Sequence, residues 1–304
     1  MPEFQDPEIF RAVLESLQTG VYLVDRDRKI LFWNEGAENI SGYLRQDVIG
    51  RYCRENILVH CDENKAVLCG TACPLADTMR DGQPREADVY LLHRTGHRVP
   101  VHVRAVCIRD GRGVIIGAAE SFDERSVAPK PDRRQNVLGS HGGCDEMTGL
   151  PGHEFTQFLL QESLTFFAEH LIPFGVLLTQ VDQLEHFREL HGQGAVDAVL
   201  RAVGQTLRST LRPSDYLGRW TADQFLVIVP SCSRALTEKV GNRLRRIASF
   251  SEILWWGDLL SVTVSAGGTA VRLGDSVESI LERVAASLEQ SLAEGGDRVT
   301  VCSE

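Results

Sequence analysis

Apolar residues recur along this chain with two periods, and the change from one to the other marks out its elements. Phe10, Val13, Leu14 and Leu17 repeat at intervals of three and four, which predicts a helix over residues 7–18 ended by Gly20. Val21–Val24 and Ile30–Trp33 are short apolar runs joined by the charged turn Asp25–Arg28, and they predict paired strands. Asn34 to Arg54 breaks into short helices and turns. Three longer strand patterns follow at Ala87–His93, Arg98–Ile108 and Gly113–Ser121, separated by the turns Arg94-Thr95-Gly96 and Asp110-Gly111.

The pattern then lapses. Residues 124–143 hold Pro129, Pro131, Lys130, Arg133, Arg134 and several glycines but almost nothing apolar, and they carry no heptad repeat. They read as a linker between a first domain, 1–123, and a second, 144–304. The second domain opens with a helix through His170 and a strand at Phe174–Thr179. After Gly194, Val196, Val199, Leu200, Val203, Leu207 and Leu211 share one helical face. A hairpin follows: Tyr216–Trp220, a turn at Thr221–Gln224, and Phe225–Val229 stopped by Pro230. A helix near Leu236–Ala248, a strand at Leu260–Gly267 and a helix at Ser276–Ala293 complete a mixed α/β pattern.

Length and charge narrow the class. At 304 residues two domains can each bury a core, and a formal charge of −10 argues against a general nucleic-acid or anionic-membrane binder. A local basic pocket for a phosphorylated ligand stays open. No apolar stretch reaches transmembrane length, and MPEFQDPEIF lacks a signal-peptide pattern, so a cytoplasmic protein is expected. The eight cysteines are then expected as thiols or metal ligands.

The order of two strands, a helical middle and three strands, with GVYLVDRDRKILFWNEGAENISGY and DGQPREADVYLLHRTGHRVPV, resembles a PAS sensor domain over residues 8–123. In the second domain DEMTGLPGHEF, RPSDYLGRWTADQFLVIVP, LLSVTVSAGGTAV and LAEGGDRV stand in the order of the GGDEF, or diguanylate cyclase, family. The resemblance implies an α+β domain with a mainly antiparallel sheet flanked by helices, like nucleotidyl cyclases. It also implies chemistry that joins two GTP molecules held by the two subunits of a dimer.

That chemistry needs divalent metal held by hard oxygen ligands, cations on the triphosphate, and a hairpin that lets phosphate approach the backbone. The resemblance puts the family's Gly-Gly-acid-Glu-Phe hairpin on Thr221, Ala222, Asp223, Gln224 and Phe225. Side chains then stand where glycines give φ > 0 and open access, and an amide replaces one acid. The family's first metal Asp falls on Gln180, with Asp182 two residues on, near enough to shift into the metal position. Its phosphate-facing Lys falls on Glu185 and its guanine-contacting Asn on Arg188, while the second base contact is kept as Asp197. The C-terminal Lys and Arg fall on Leu292 and Gly296. Metal, phosphate and base contacts have all changed, so no intact catalytic set is expected, and Mg²⁺ only where GTP binding survives.

By the same resemblance, a product-inhibition site survives as Arg212, Asp215 and Arg243. A guanidinium fork pairs with phosphate oxygens and guanine acceptor edges, and a carboxylate accepts from a guanine amino group. Arg-x-x-Asp is weak alone, and surface arginines left from an ancestor read equally well. In the first domain Cys53, His60, Cys61, Cys69 and Cys73 crowd one segment. Cys53, His60, Cys69 and Cys73 offer donors for zinc or an Fe–S cluster, although their spacing matches no standard zinc pattern and thiols packed as small apolar residues are commoner. His93 could face the PAS interior and bind haem, though a solvated or core histidine is far commoner. Trp33 reads as core and Trp255-Trp256 as core or interface. Two functions stand. One is a PAS sensor coupled to a non-catalytic GGDEF domain that binds cyclic di-GMP, another nucleotide or a protein partner. The other is a divergent diguanylate cyclase acting as a homodimer.

Overall fold

Strand alternation in the first domain builds a five-stranded antiparallel sheet whose strands lie in the order Ile30–Trp33, Gly20–Asp25, Ile115–Glu124, Arg98–Arg109, Arg85–Leu92. The computed structural model describes residues 7–55, 57–64, 66–125 and 143–302, so the linker lies outside the described residues apart from its ends. These fall into two compact units, the first ending at Arg125. The first contains α1 (Pro7–Ser16), β1 (Gly20–Asp25), β2 (Ile30–Trp33), α2 (Glu35–Ser41), α3 (Arg45–Val48), α4 (Leu68–Thr71), α5 (Pro74–Asp81), β3 (Arg85–Leu92), β4 (Arg98–Arg109) and β5 (Ile115–Glu124). Trp33, Tyr22 and Phe122 meet at ring-centroid distances of 5.5–6.3 Å in its core. Asn34, fully buried, accepts from the amides of Val21 and Ala37 and donates to the carbonyls of Leu14 and Thr19. One amide side chain thereby ties the start of β1 to α1 and α2.

Several boundaries differ from expectation for local reasons. Gly20 opens β1 instead of ending the helix, because its Cα faces Phe122; a Cβ there would lie 2.5 Å from that ring. Helix α1 stops at Ser16 and buries none of its residues, and Phe10 and Val13 are exposed. Strand β5 starts two residues later than expected. Asp110 Oδ1 accepts from the amides of Arg112 and Val114 and extends the turn.

The second unit contains α6 (His153–His170), β6 (Phe174–Val181), α7 (Leu184–His191), α8 (Gln193–Thr210), β7 (Tyr216–Arg219), β8 (Gln224–Pro230), α9 (Arg234–Ala248), β9 (Glu252–Trp255), β10 (Asp258–Ser261), β11 (Val264–Ala270), α10 (Val277–Ala293) and β12 (Val299–Val301). Its main sheet has the order β12-β11-β6-β8-β7, antiparallel except where β11 meets β12. The predicted face of α8 is buried in full, from Val196 to Leu207, with Leu211 buried just past its end. Helix α10 presses on β11 so closely that a Cβ at Gly267 would lie 2.2 Å from Leu288 N and Val284 O.

The single strand expected at Leu260–Gly267 is two. Leu260 pairs with Ile253 in a separate hairpin, while Thr263 turns its carbonyl to Asp182 N and breaks the run. Trp256 sits at that hairpin's tip, 92% exposed and with φ of 50°, whereas Trp255 lies over Gly194 at the start of α8.

Candidate ligand-binding site

Strands β6 and β8 pair in register down to Gln180 opposite Gln224. The Gln224 amide donates to Gln180 Oε1 at 2.9 Å, so these two positions satisfy each other across the sheet. Asp182 does not reach toward them. Its Oδ2 accepts from Thr263 Oγ1 at 2.6 Å and from the Asp297 amide at 2.9 Å, which fastens the end of β6 to the chain before β11 and before β12. Gly296, with φ of 75°, passes close enough that a Cβ would stand 3.2 Å from the Asp182 carboxyl. Glu185 forms an ion pair with Arg188 one helical turn on, and Asp197 Oδ1 accepts from Gln193 Nε2 at 2.7 Å. Leu292 is partly buried and packs against the core.

The turn between β7 and β8 is tight. Trp220 and Thr221 amides both donate to the Gln224 carbonyl, and Thr221 Oγ1 donates to Asp223 Oδ1 at 3.0 Å. Arg219 closes it from behind by donating to the Ala222 carbonyl. That guanidinium is 6% exposed, lies 4.9 Å from the Phe225 ring centroid, and leaves Nη1 without a hydrogen-bond partner. Burial pushes its pKa down, against the pull of Asp145, Asp223 and Asp197. In front of this turn lies a cavity of about 470 Å³, lined among others by Arg188, Asp197, Arg219, Trp220 and Ala222. His153 also lines it, its ring 3.9 Å from that of Trp220. Arg219, Trp220 and His153 were not among the residues expected here. Arg219 and Trp220 directly precede the altered hairpin, and that adjacency is the signal the sequence held.

Arg212, Asp215 and Arg243 come together outside this cavity's lining. Arg212 N donates to Asp215 Oδ2 at 2.9 Å, and Asp215 N returns a bond to the Arg212 carbonyl. Burial raises the Asp215 pKa, while Arg212 and Arg243 hold it down. Arg243 Nε is buried and has no hydrogen-bond partner.

In the first unit Cys53, Leu68 and Cys73 of the cysteine segment pack against the core. Cys53 N donates to the Arg28 carbonyl, and the Arg28 side chain reaches the Cys69 carbonyl at 3.5 Å. Burial pushes Cys53 up to about 12, with Cys73, Glu120 and Cys69 adding to it; burial also raises Cys69 and Cys73. Among the described residues no three His, Cys, Asp or Glu side chains gather closely enough to hold a metal ion. Glu120, 1% exposed, accepts from Tyr22 Oη at 2.9 Å with His60 Nδ1 at 3.9 Å. Burial lifts Glu120 to about 7 and lowers His60 to about 4. His93 is stacked on His97 at 4.2 Å beside the β3–β4 turn, and both share Thr95 Oγ1.

A family model described as "Diguanylate cyclase, GGDEF domain" matches residues 143–298, and one described as "PAS fold" matches residues 8–120. The chain belongs to the GGDEF family. Its N-terminal unit is a PAS domain. The probable diguanylate cyclase DgcE of Escherichia coli K12 is 25% identical over 269 residues, covering 88% of this chain and 24% of DgcE. Diguanylate cyclase DgcP of Pseudomonas aeruginosa is 30% identical over 173 residues, 56% of this chain and 25% of DgcP. The chain thus spans about a quarter of the length of each. The GGDEF domain of DgcB from Caulobacter crescentus, solved in complex with c-di-GMP, aligns with a TM-score of 0.51 at 22% identity over 53% of this chain and 93% of that one. Diguanylate cyclase SiaD from Pseudomonas aeruginosa, solved with its activator SiaC, aligns with a TM-score of 0.53 at 25% identity over 56% and 66%. The GGDEF fold expected from the sequence is therefore present. No described helix is long and apolar enough to cross a membrane.

Proposed function

We propose that this chain is a cytoplasmic signalling protein in which the PAS domain senses and the GGDEF domain receives, binding cyclic di-GMP without making it. The observation that carries this reading is the Gln180–Gln224 hydrogen bond. A divalent ion needs carboxylate charge where that pair sits, and two amides bring none. They also hydrogen-bond to each other, which supports a pair held together without metal. The cation positions offer no replacement: Glu185 is acidic, Leu292 is an apolar side chain partly buried against the core and Gly296 has no side chain.

Cyclic di-GMP is the ligand that Arg212, Asp215 and Arg243 suit. Two guanidiniums can grip phosphate and the guanine acceptor edge while the carboxylate accepts from the guanine amino group. Homodimerisation and a downstream protein partner belong to this reading. Purified protein given GTP and Mg²⁺ should form no cyclic di-GMP. Calorimetry with cyclic di-GMP should show binding that Arg212→Ala removes, and no heat at high micromolar ligand would sink the receptor reading.

The second reading is a divergent homodimeric diguanylate cyclase. The retained cavity, with Asp197 in its wall, favours it. Product in the turnover assay would decide for it.

A further inference from the structure

Of the eight cysteines, Cys144 alone is exposed. Burial raises the thiol pKa of Cys53, Cys69, Cys73 and Cys232, which leaves those sulfurs poor nucleophiles. Cys144 also lines the cavity in front of the β7–β8 turn, and the backbone puts it there. It pairs antiparallel with Pro151, held by the Asp145 amide on the Leu150 carbonyl at 2.8 Å and the Gly152 amide on the Gly143 carbonyl at 3.1 Å. On its other side the Pro151 carbonyl accepts from the Arg219 amide at 2.7 Å. Cys144 and Arg219 therefore stand two strand spacings apart, about 10 Å between backbones.

Arg219 gives this thiol a neighbour with an unmet bond. Its side chain lines the same cavity, the residue is more than nine-tenths buried, and Nη1 has no hydrogen-bond partner. Arg188 Nε, in the same wall, is also buried without a partner. Guanidiniums only donate, so both call for an acceptor, and a carboxylate is a strong one. The wall also holds the carboxylates of Asp145 and Asp197. Asp145 Oδ1 accepts from Thr148 and Asp197 Oδ1 from Gln193, and each carboxylate has further acceptor sites. A ligand carrying only negative charge meets repulsion from the acids, and one carrying only positive charge meets it from the guanidiniums. An amino-acid head, with ammonium and carboxylate side by side, finds complementary charge for both of its groups.

We propose that Cys144 is a thiolation site for a low-molecular-weight thiol bearing an amino-acid head, delivered as its disulfide. The Cys144 thiolate attacks one sulfur of the symmetrical disulfide. A mixed disulfide bond forms as the incoming sulfur–sulfur bond breaks, and the departing thiolate takes up the proton that Cys144 gave up. The incoming disulfide is the oxidant, one equivalent of free thiol is the reduced product, and excess free thiol reverses the step. The attached head occupies the cavity, with its carboxylate towards Arg219 and its ammonium towards Asp197, and closes it to any other occupant. This holds whether the domain binds or reacts.

The test gives the reduced full chain cystine and glutathione disulfide, which carry amino-acid heads, cystamine, which carries only ammonium groups, and dithiodiglycolate, which carries only carboxylates. Peptide mapping by mass spectrometry locates the adduct. Each rate at Cys144 is divided by the rate of the same reagent with a free peptide of residues 143–149, which holds that cysteine alone. On this scale cystine, glutathione disulfide or both should react about tenfold or more faster than either single-charge reagent, the factor one charge-assisted hydrogen bond supplies. Whichever of the two is faster identifies the length of the head. Arg219→Lys and, separately, Asp197→Asn should each collapse that preference. In the parent, the adduct with an amino-acid head should melt above the cystamine adduct, a comparison that needs no variant to fold. No adduct at Cys144 would overturn the proposal, as would equal scaled rates for all the reagents or adducts spread evenly over several cysteines. A preference indifferent to both substitutions, or two adducts that melt together, would overturn it as well.

Discussion

Putting acids back at Gln180 and Gln224 should weaken this protein until metal is supplied. In the double variant Gln180→Asp, Gln224→Glu the 2.9 Å amide bond is lost, a cost of about 1 kcal/mol. Two carboxylates replace it on directly opposed residues. At about 4 Å and an effective dielectric of ~20 they repel by up to ~4 kcal/mol. Both residues are only half-buried, and screening by solvent brings the total to roughly 2–4 kcal/mol. For a unit of this size that corresponds to a melting temperature lower by roughly 5–15 °C.

Thermal melts with and without millimolar Mg²⁺ or Mn²⁺ read the effect. Metal that binds only the folded variant at a hundredfold over its Kd restores about 2.7 kcal/mol, while the parent should not respond. The deficit should also shrink as pH falls into the carboxylate range, where one acid takes a proton. A double variant that melts with the parent in the absence of metal would refute the reasoning. A parent stabilised by Mg²⁺ as strongly as the variant would refute it too, since the amide pair would then not be a metal-free closure.

Three further outcomes follow from the packing. Gly267→Ala should cost more than about 3 kcal/mol in denaturant unfolding, because its Cβ would meet backbone atoms of α10 at 2.2 Å; a loss below about 1 kcal/mol would mean that the helix and strand separate freely. Asn34→Ala should cost about 2–4 kcal/mol by stranding the buried amides of Val21 and Ala37 and two carbonyls, and a near-neutral result by the same measurement would contradict that accounting. Glu120, ordinarily 4.5 and here about 7, gives up stability as pH rises from 4.5 to 7, whereas His60, ordinarily 6.5 and here about 4, gives it up as pH falls from 6.5 to 4. Each shift is worth on the order of 3 kcal/mol and they largely offset. Stability of Glu120→Gln should therefore rise from pH 4 to 6.5 and that of His60→Gln should fall from pH 4.5 to 7, and flat profiles for both would defeat the assignment.

The sequence was legible where period and burial coincide. The face of α8 from Val196 to Leu207 and the core position of Trp33 follow from spacing alone, because these side chains have nowhere to go but inward. It was less legible where a turn or a surface sets the pattern. The β9–β10 hairpin carries Leu254 and Leu259 on its exposed side, so apolar content does not report burial there. The start of β5 depends on Asp110 capturing two amides, a bond that periodicity does not encode. In the site, motif position identified Gln180, Asp182 and Gln224. That the two amides pair and that Asp182 is held by Thr263 and Asp297 required register and reach across strands far apart in the chain.

The distribution of satisfied and unsatisfied groups separates loss from retuning. Simple erosion of a catalytic site would leave stranded polar groups where metal and phosphate once made bonds, each costing about 1–3 kcal/mol. The opposite is found at most of those positions. Gln180 and Gln224 pair with each other, Glu185 pairs with Arg188, and Asp182 is bonded through one oxygen to two partners. Among the described residues of this unit the buried atoms without partners are, besides one oxygen each of Asp182 and Ser265, guanidinium nitrogens of Arg188, Arg219 and Arg243. Amides that pair with each other where the family has acids fit the non-catalytic reading proposed above. A fold that keeps buried cationic donors unmade retains capacity for acceptors it does not itself supply. The Gln180–Gln224 pairing and the unmade guanidinium donors support the proposed role of binding rather than reacting, while Asp182 Oδ1 stays an open acceptor.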